Sequence, residues 1–124
     1  MNNDNITIQQ RSQDFAVRVI KAYTKINEQN HFNSAAVVLS KQFLRSGTSI
    51  GANISEAVYA QSNADFISKY SIALKEASEV LYWMQIMIKS EVATEKQFAL
   101  LTEEAERIIR ILTVIINKLK AKSK

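Results

Sequence analysis

Hydrophobic residues recur at intervals of three and four along four segments of this 124-residue chain, and short polar links separate the segments. This spacing predicts amphipathic helices over about residues 12–27, 34–60, 63–89 and 94–121. The fourth segment is the most regular, with Phe98, Leu101, Ala105, Ile108, Leu112, Ile115 and Leu119 on one stripe. The pattern predicts one domain over residues 1–124. Because short links force neighbouring helices to run antiparallel, we expect this domain to be an all-α, antiparallel, up-down-up-down four-helix bundle.

Polar residues at the helix starts refine these bounds. Ser12 is a plausible cap for the first helix. Ser62 with Asp65, and Thr94 with Gln97, have the spacing of a capping box, in which two side chains satisfy each other's backbone amides.

A second apolar face lies on the third and fourth helices. Ile72, Trp83 and Ile86 are nearly opposite the core stripe of the third helix, and Ile111 and Val114 lie outside the main stripe of the fourth. A helix that is apolar on two faces is usually buried on both, which predicts contact with a second subunit. The alternative is scattered surface apolar residues, which are common and have no function.

The composition narrows the chemistry. The chain has no Cys, no Pro, two Gly and one His. These counts argue against disulfides, thiolate chemistry, a multi-His metal centre and a Gly-rich phosphate loop. We therefore expect a protein that is not an enzyme and has no cofactor, no metal site and no small-molecule substrate.

Basic residues form three groups in a chain of net charge +4. The first helix carries one group within about 80° of its circumference, the fourth helix a second, and the end of the chain a third. They are Arg11, Arg18, Lys21 and Lys25; Arg107 and Arg110; and Lys118, Lys120, Lys122 and Lys124. They are candidates for a phosphate-binding surface, and the alternative is an ordinary solvated face interrupted by acidic residues.

The chain shows no targeting signal. Its first ten residues are polar, and its longest apolar runs have five residues, far fewer than a membrane span requires. We therefore expect a cytoplasmic protein that makes no membrane contact.

Two blocks of sequence resemble a known family. The first covers residues 44–57 and includes Arg45, Ser49, Ile50, Asn53, Ile54, Glu56 and Ala57; the second covers residues 65–83 and ends in Tyr82-Trp83. Both blocks resemble the bacterial four-helix bundle family first noted as open reading frames in intervening sequences of 23S ribosomal RNA genes. Ala57 stands where the family often has Gly.

The resemblance says more about how the protein assembles than about any reaction that it catalyses. Members of the family form homopentameric, barrel-like rings, and the accessory protein of diversity-generating retroelements is a distant relative that binds reverse transcriptase and nucleic acid. A structural role is expected for the hallmark residues of the first block. Gly47 and Gly51 would allow close helix approach, and Asn53 and Glu56 would hydrogen-bond with Arg45 across a helix contact.

These observations lead to one hypothesis and one alternative. The hypothesis is a non-catalytic, self-assembling bundle, a homopentamer in ring form, that presents a basic surface to RNA or to an RNA-handling protein. The alternative is a protein-interaction scaffold with no nucleic-acid role, in which the basic residues only increase solubility.

Overall fold

The structure is a computed structural model that describes residues 6–122, and within that range its regular elements are four helices. They are α1 (Ile8–Gln29), α2 (Ser34–Ala57), α3 (Asn63–Lys89) and α4 (Glu95–Lys122). The predicted all-α class and the four predicted helices are confirmed.

Each helix packs against the next along the chain, and α4 also packs against α1, so the four helices form a bundle. The apolar stripes meet in its centre, where the rings of Phe43 and Phe98 lie 5.3 Å apart. Phe15 and Val19 from α1, and Met84 from α3, are buried beside them. The closing contact between α1 and α4 places two of the predicted basic groups on neighbouring helices.

The first helix begins earlier than predicted. Thr7 has an extended backbone and accepts a hydrogen bond from the amide of Gln10, so it caps a helix that starts at Ile8. Ser12 is not the cap: it is buried one turn inside the helix, where its hydroxyl donates to the carbonyl of Gln9. The prediction was wrong because Thr7 offers the same capping chemistry one turn earlier.

The starts of α3 and α4 match the predictions. Ser62 accepts from the amide of Asp65. Thr94 and Gln97 form a reciprocal capping box, with bonds of 3.1 and 2.9 Å between side chain and backbone amide. By contrast, α2 ends at Ala57, three residues before the predicted end, because the following amides bond to the carbonyl three residues back rather than four.

The two glycines of α2 face α1 at different distances. A Cβ atom on Gly47 would lie 2.8 Å from both methyl groups of the buried Val19, whereas one on Gly51 would make ordinary contact, 3.4 Å from the carbonyl of Ser12. The close approach of α1 and α2 therefore requires glycine at position 47, whereas position 51 has room for a Cβ atom.

Tyr70 is the buried tyrosine of α3. Its ring stacks on that of Phe66, with centroids 4.5 Å apart, and burial raises its pKa above the usual value of 10.0. The side chain therefore remains neutral in the folded protein at ordinary pH.

Candidate nucleic-acid interface and assembly surface

Exposed cations cover the neighbouring helices α1 and α4. We call this set the basic surface, and it consists of Arg18, Lys21 and Lys25 on α1 with Arg107, Arg110, Lys118, Lys120 and Lys122 on α4. All are exposed except Arg107, which is half-buried and lies 3.9 Å from Glu104. Within residues 6–122 the other seven form no ion pair, so their charges are available to an anionic partner. Lys124 lies outside the described residues.

Arg11 does not belong to this surface, although the sequence pattern grouped it there. Its side chain is only 6% exposed, and its guanidinium lies 3.0 Å from a carboxylate oxygen of Glu104 on α4. Both oxygens of Glu104 accept from the same nitrogen, so the pair links α1 to α4. Arg11 is one turn before Phe15 on the core stripe, and that spacing could have predicted its burial.

Acidic residues reduce the charge of this side without neutralising it. Asp14 on α1 and Glu103 and Glu106 on α4 are exposed between the cations. Helix α1 carries four basic and two acidic residues, and α4 carries six basic and four acidic ones. Each helix therefore contributes excess positive charge, consistent with one shared electrostatic field.

Ion pairs join α2 to α3 on the other side of the bundle. Arg45 lies 3.4 Å from the buried Glu76 and 3.0 Å from Glu79. Lys69 pairs with Glu56 at 3.5 Å. These charges are satisfied by the fold itself.

The expected contacts of Asn53 and Glu56 with Arg45 are corrected by this geometry. Asn53 donates to the carbonyl of Ser49 in its own helix, and Glu56 faces Lys69. The reason is helical spacing: Arg45 lies two and three turns earlier on α2, opposite the middle of α3, where the two glutamates are.

The residues predicted to form the contact with a second subunit differ in how exposed their side chains are. Ile72 and Val114 are exposed, while Trp83, Ile86 and Ile111 are half-buried. Trp83 packs against the core and meets Tyr82 edge-on, with ring centroids 5.1 Å apart. Part of the apolar area that the pattern assigned to a partner is therefore covered within the chain.

Several exposed apolar residues were missed by the sequence analysis. Val17 and Ile20 are each 47% exposed on α1, and Leu100 is exposed on α4. Phe32 is fully exposed between α1 and α2, with a left-handed backbone at φ 67°. The exposure of the two α1 residues could have been read from their spacing, since both lie off the stripe of Phe15, Val19 and Ile26.

Two further features bear on function. Among residues 6–122 no three His, Cys, Asp or Glu side chains converge where they could hold a metal ion. No helix in that range has a stretch long and apolar enough to cross a lipid bilayer.

The fold and surface thus define a small four-helix bundle in which ion pairs join α2 to α3 and most of the exposed cations without an ion pair lie on α1 and α4. A family model described as "23S rRNA-intervening sequence protein" matches residues 4–114. The chain therefore belongs to this family, which confirms the resemblance seen in its sequence.

A solved structure supports the same assignment. The chain is 44% identical to a protein of unknown function from the S23 ribosomal protein family of Bacteroides thetaiotaomicron VPI-5482. The alignment has a TM-score of 0.80 and covers 89% of this chain and 98% of that one. A comparison with curated proteins finds no match.

Proposed function

We propose that this protein is a non-catalytic, self-assembling helical bundle of the cytoplasm whose basic surface binds RNA or an RNA-handling protein. It needs no cofactor for this role. The names of its family and of its structural relative refer to ribosomal RNA and to a ribosomal protein.

One observation carries the RNA proposal: the two sides of the bundle use their charges differently. On α2 and α3, Arg45 and Lys69 are paired with glutamates, and three exposed lysines, Lys41, Lys75 and Lys89, form no ion pair with a described residue. On α1 and α4, seven exposed cations of the basic surface form no ion pair with a described residue. Exposed cations without ion-pair partners attract a phosphate backbone, and contacts of this kind provide affinity without reading sequence.

The RNA proposal is tested by reversing charge on one side at a time. Arg18→Glu/Lys25→Glu alters the basic surface, and Lys41→Glu/Lys75→Glu alters two exposed cations on α2 and α3 as a matched control. Both doubles change the net charge equally. We expect the first to weaken binding of a labelled structured RNA at least tenfold, and the control to change it little. Equal weakening by the two doubles would contradict a localised binding surface.

Self-assembly is the second part of the proposal, and its support is the exposed apolar residues Ile72 and Val114. The proposed assembly is a homopentameric ring, as the family resemblance implies, in which the basic surface repeats around the axis. The proposed up-down-up-down order is supported by the pairs between α2 and α3. There Arg45 contacts Glu76 and Glu79 while the later residue Glu56 contacts the earlier Lys69.

Light scattering tests the assembly. Ile72→Glu places a charge on the exposed α3 face, and Ser78→Glu places one at an exposed position about 120° around the same helix, outside the proposed contact. We expect a pentameric mass for the wild type and for Ser78→Glu, and a smaller mass for Ile72→Glu. A monomeric wild-type protein would contradict the proposal.

The second candidate function is a protein-interaction scaffold without RNA binding. The fully exposed Phe32 favours it, because an aromatic side chain held out on a loop resembles the anchor residues of protein interfaces. The charge-reversal experiment separates the two functions: a scaffold would retain all its interactions in Arg18→Glu/Lys25→Glu unless a partner uses those same cations.

A further inference from the structure

A groove lined by both polar and apolar residues runs between the first half of α1 and the second half of α2. Its volume is about 660 Å³, and its α2 wall comes from the segment that carries the family resemblance, including Thr48 and Ser55. Small residues form its floor, with Ala16 from α1 facing Gly51 and Ala52 from α2. Two larger apolar residues of α2, Ile54 and Val58, also line the groove.

The α1 wall consists of amide side chains that the fold does not use. Gln9, Gln10 and Gln13 line the groove, and their side chains make no hydrogen bond to any residue between 6 and 122. Two asparagines elsewhere in the bundle behave differently. Asn27 donates to Tyr23 and Ser40, and Asn30 joins the carbonyls of Ile26 and Val92.

The charge of the groove argues against a phosphate as its ligand. Asp14 is the one charged residue among the described residues that line it, and a carboxylate repels phosphate while accepting hydrogen bonds from amino groups. Arg18 follows Asp14 by one helical turn, about 6 Å along α1. The groove is therefore adjacent to the basic surface but has a different chemical preference.

We propose that this groove binds an unpaired nucleobase of the RNA held on the basic surface. This inference rests on the proposed function and names the part of the RNA that the chain recognises. A planar heterocycle fits the small-residue floor. Glutamine amides and hydroxyl groups offer donors and acceptors to its edge, as in recognition of bases exposed in single strands. The attached phosphate then lies toward Arg18.

The test compares two oligomers with the same phosphates. One is a labelled single-stranded RNA of about 12 nucleotides, and the other is an abasic strand of equal length. We expect the wild-type protein to bind the RNA about tenfold more tightly, the size expected from one amide–base contact with two hydrogen bonds. Equal affinity for the two strands would overturn the inference.

Variants locate the preference in the groove. Gln10→Ala/Gln13→Ala removes amides, and Ala52→Leu fills the floor at an exposed helical position that accepts leucine. Both variants should bind the RNA only as tightly as the abasic strand, and their affinity for the abasic strand should equal that of the wild type. Gln61→Ala/Gln85→Ala and Ala64→Leu, at exposed positions outside the groove, are the controls and should keep the preference. Loss of both affinities together, or no loss, would overturn the inference.

A free nucleoside separates this inference from the proposed function. Adenosine and uridine carry a base but no phosphate, and their binding can be followed by NMR at the backbone amides of residues lining the groove. If neither strand binds, the proposed function fails. Shifts at the groove amides, absent in Ala52→Leu, would then still support the base site, and unchanged spectra would overturn it.

Discussion

The α1/α4 and α2/α3 sides of this bundle contain similar residue types but use them differently. On the α2/α3 side, Arg45 and Lys69 are paired with glutamates across the helix contact. On the α1/α4 side, Arg11 alone among the cations of α1 is buried in such a pair, and Arg18, Lys21 and Lys25 face solvent. The difference teaches that the two sides balance these uses of charge unequally: α2 and α3 keep three exposed lysines without an ion pair among the described residues, while the basic surface on α1 and α4 keeps seven such cations.

The largest effect should come from the buried pair on the α1/α4 side. Arg11→Ala leaves the largely buried Glu104 with only the more distant guanidinium of Arg107, 3.9 Å away, and removing one member of a buried pair destabilises a protein by about 3 kcal/mol or more. Urea unfolding followed by circular dichroism measures the loss. A loss below about 1 kcal/mol would mean that this pair resembles a surface ion pair and that the contrast between Arg11 and its neighbours is wrong.

The two glycines of α2 give the next largest effect, because they control how closely α1 approaches. Gly47→Ala places a methyl group against the stiff, buried Val19, and we expect a net loss of about 1–2 kcal/mol. Gly51→Ala has room and gains helix propensity, so it should stabilise by up to about 1 kcal/mol. Thermal unfolding should therefore shift in opposite directions. Shifts of the same sign would contradict the packing described for Val19.

A smaller effect is expected for the exposed arginine of the α2/α3 side. Arg45→Gln leaves Glu76 and Glu79 without their cation, but the Arg45 side chain is 53% exposed, so water screens the interaction. We expect a loss of about 1 kcal/mol, less than for Arg11→Ala measured in the same urea titration. An equal or larger loss would show that the α2/α3 pairs hold the fold as strongly as the buried pair does.

The smallest effect is a pH dependence on α3. Burial raises the pKa of Tyr70, so folding favours its neutral form. This contribution to stability is fully present below the ordinary tyrosine pKa of 10.0 and is lost as pH rises through the folded value. Tyr70→Phe should therefore lose less stability than the wild type between pH 9 and pH 11, a range set by that pKa. Parallel losses in the two proteins would contradict the effect.

The helices were predictable from sequence because their apolar stripes are long and regular. The spacing of side chains was sufficient to predict the four helical segments and the capping box between Thr94 and Gln97. The start of α1 was not predictable in this way, because Thr7 and Ser12 offer the same capping chemistry and packing decides between them. Arg11 was grouped with the exposed cations although its position one turn before Phe15 indicates burial; what helical spacing could not predict is its partner, Glu104 of α4.

The surfaces were only partly predictable. Exposed cations follow from sequence, since charged side chains rarely lie in a core. The partial burial of Trp83 does not follow from sequence, because it depends on the ring packing against the core and Tyr82, which only the three-dimensional structure shows. The groove between α1 and α2 was missed entirely, since three neighbouring glutamines carry no periodic signal and the groove exists only where two helices meet.

The most direct test of the central claim is the salt dependence of binding between the wild-type protein and a labelled structured RNA. If the basic surface holds the phosphate backbone, affinity should fall steeply with salt, because each phosphate contacted contributes about −0.7 to −0.9 to the slope of log K against log salt. We predict a slope of about −3 or steeper, and a shallower one for Arg18→Glu/Lys25→Glu. No binding at low salt, or affinity independent of salt, would contradict the account.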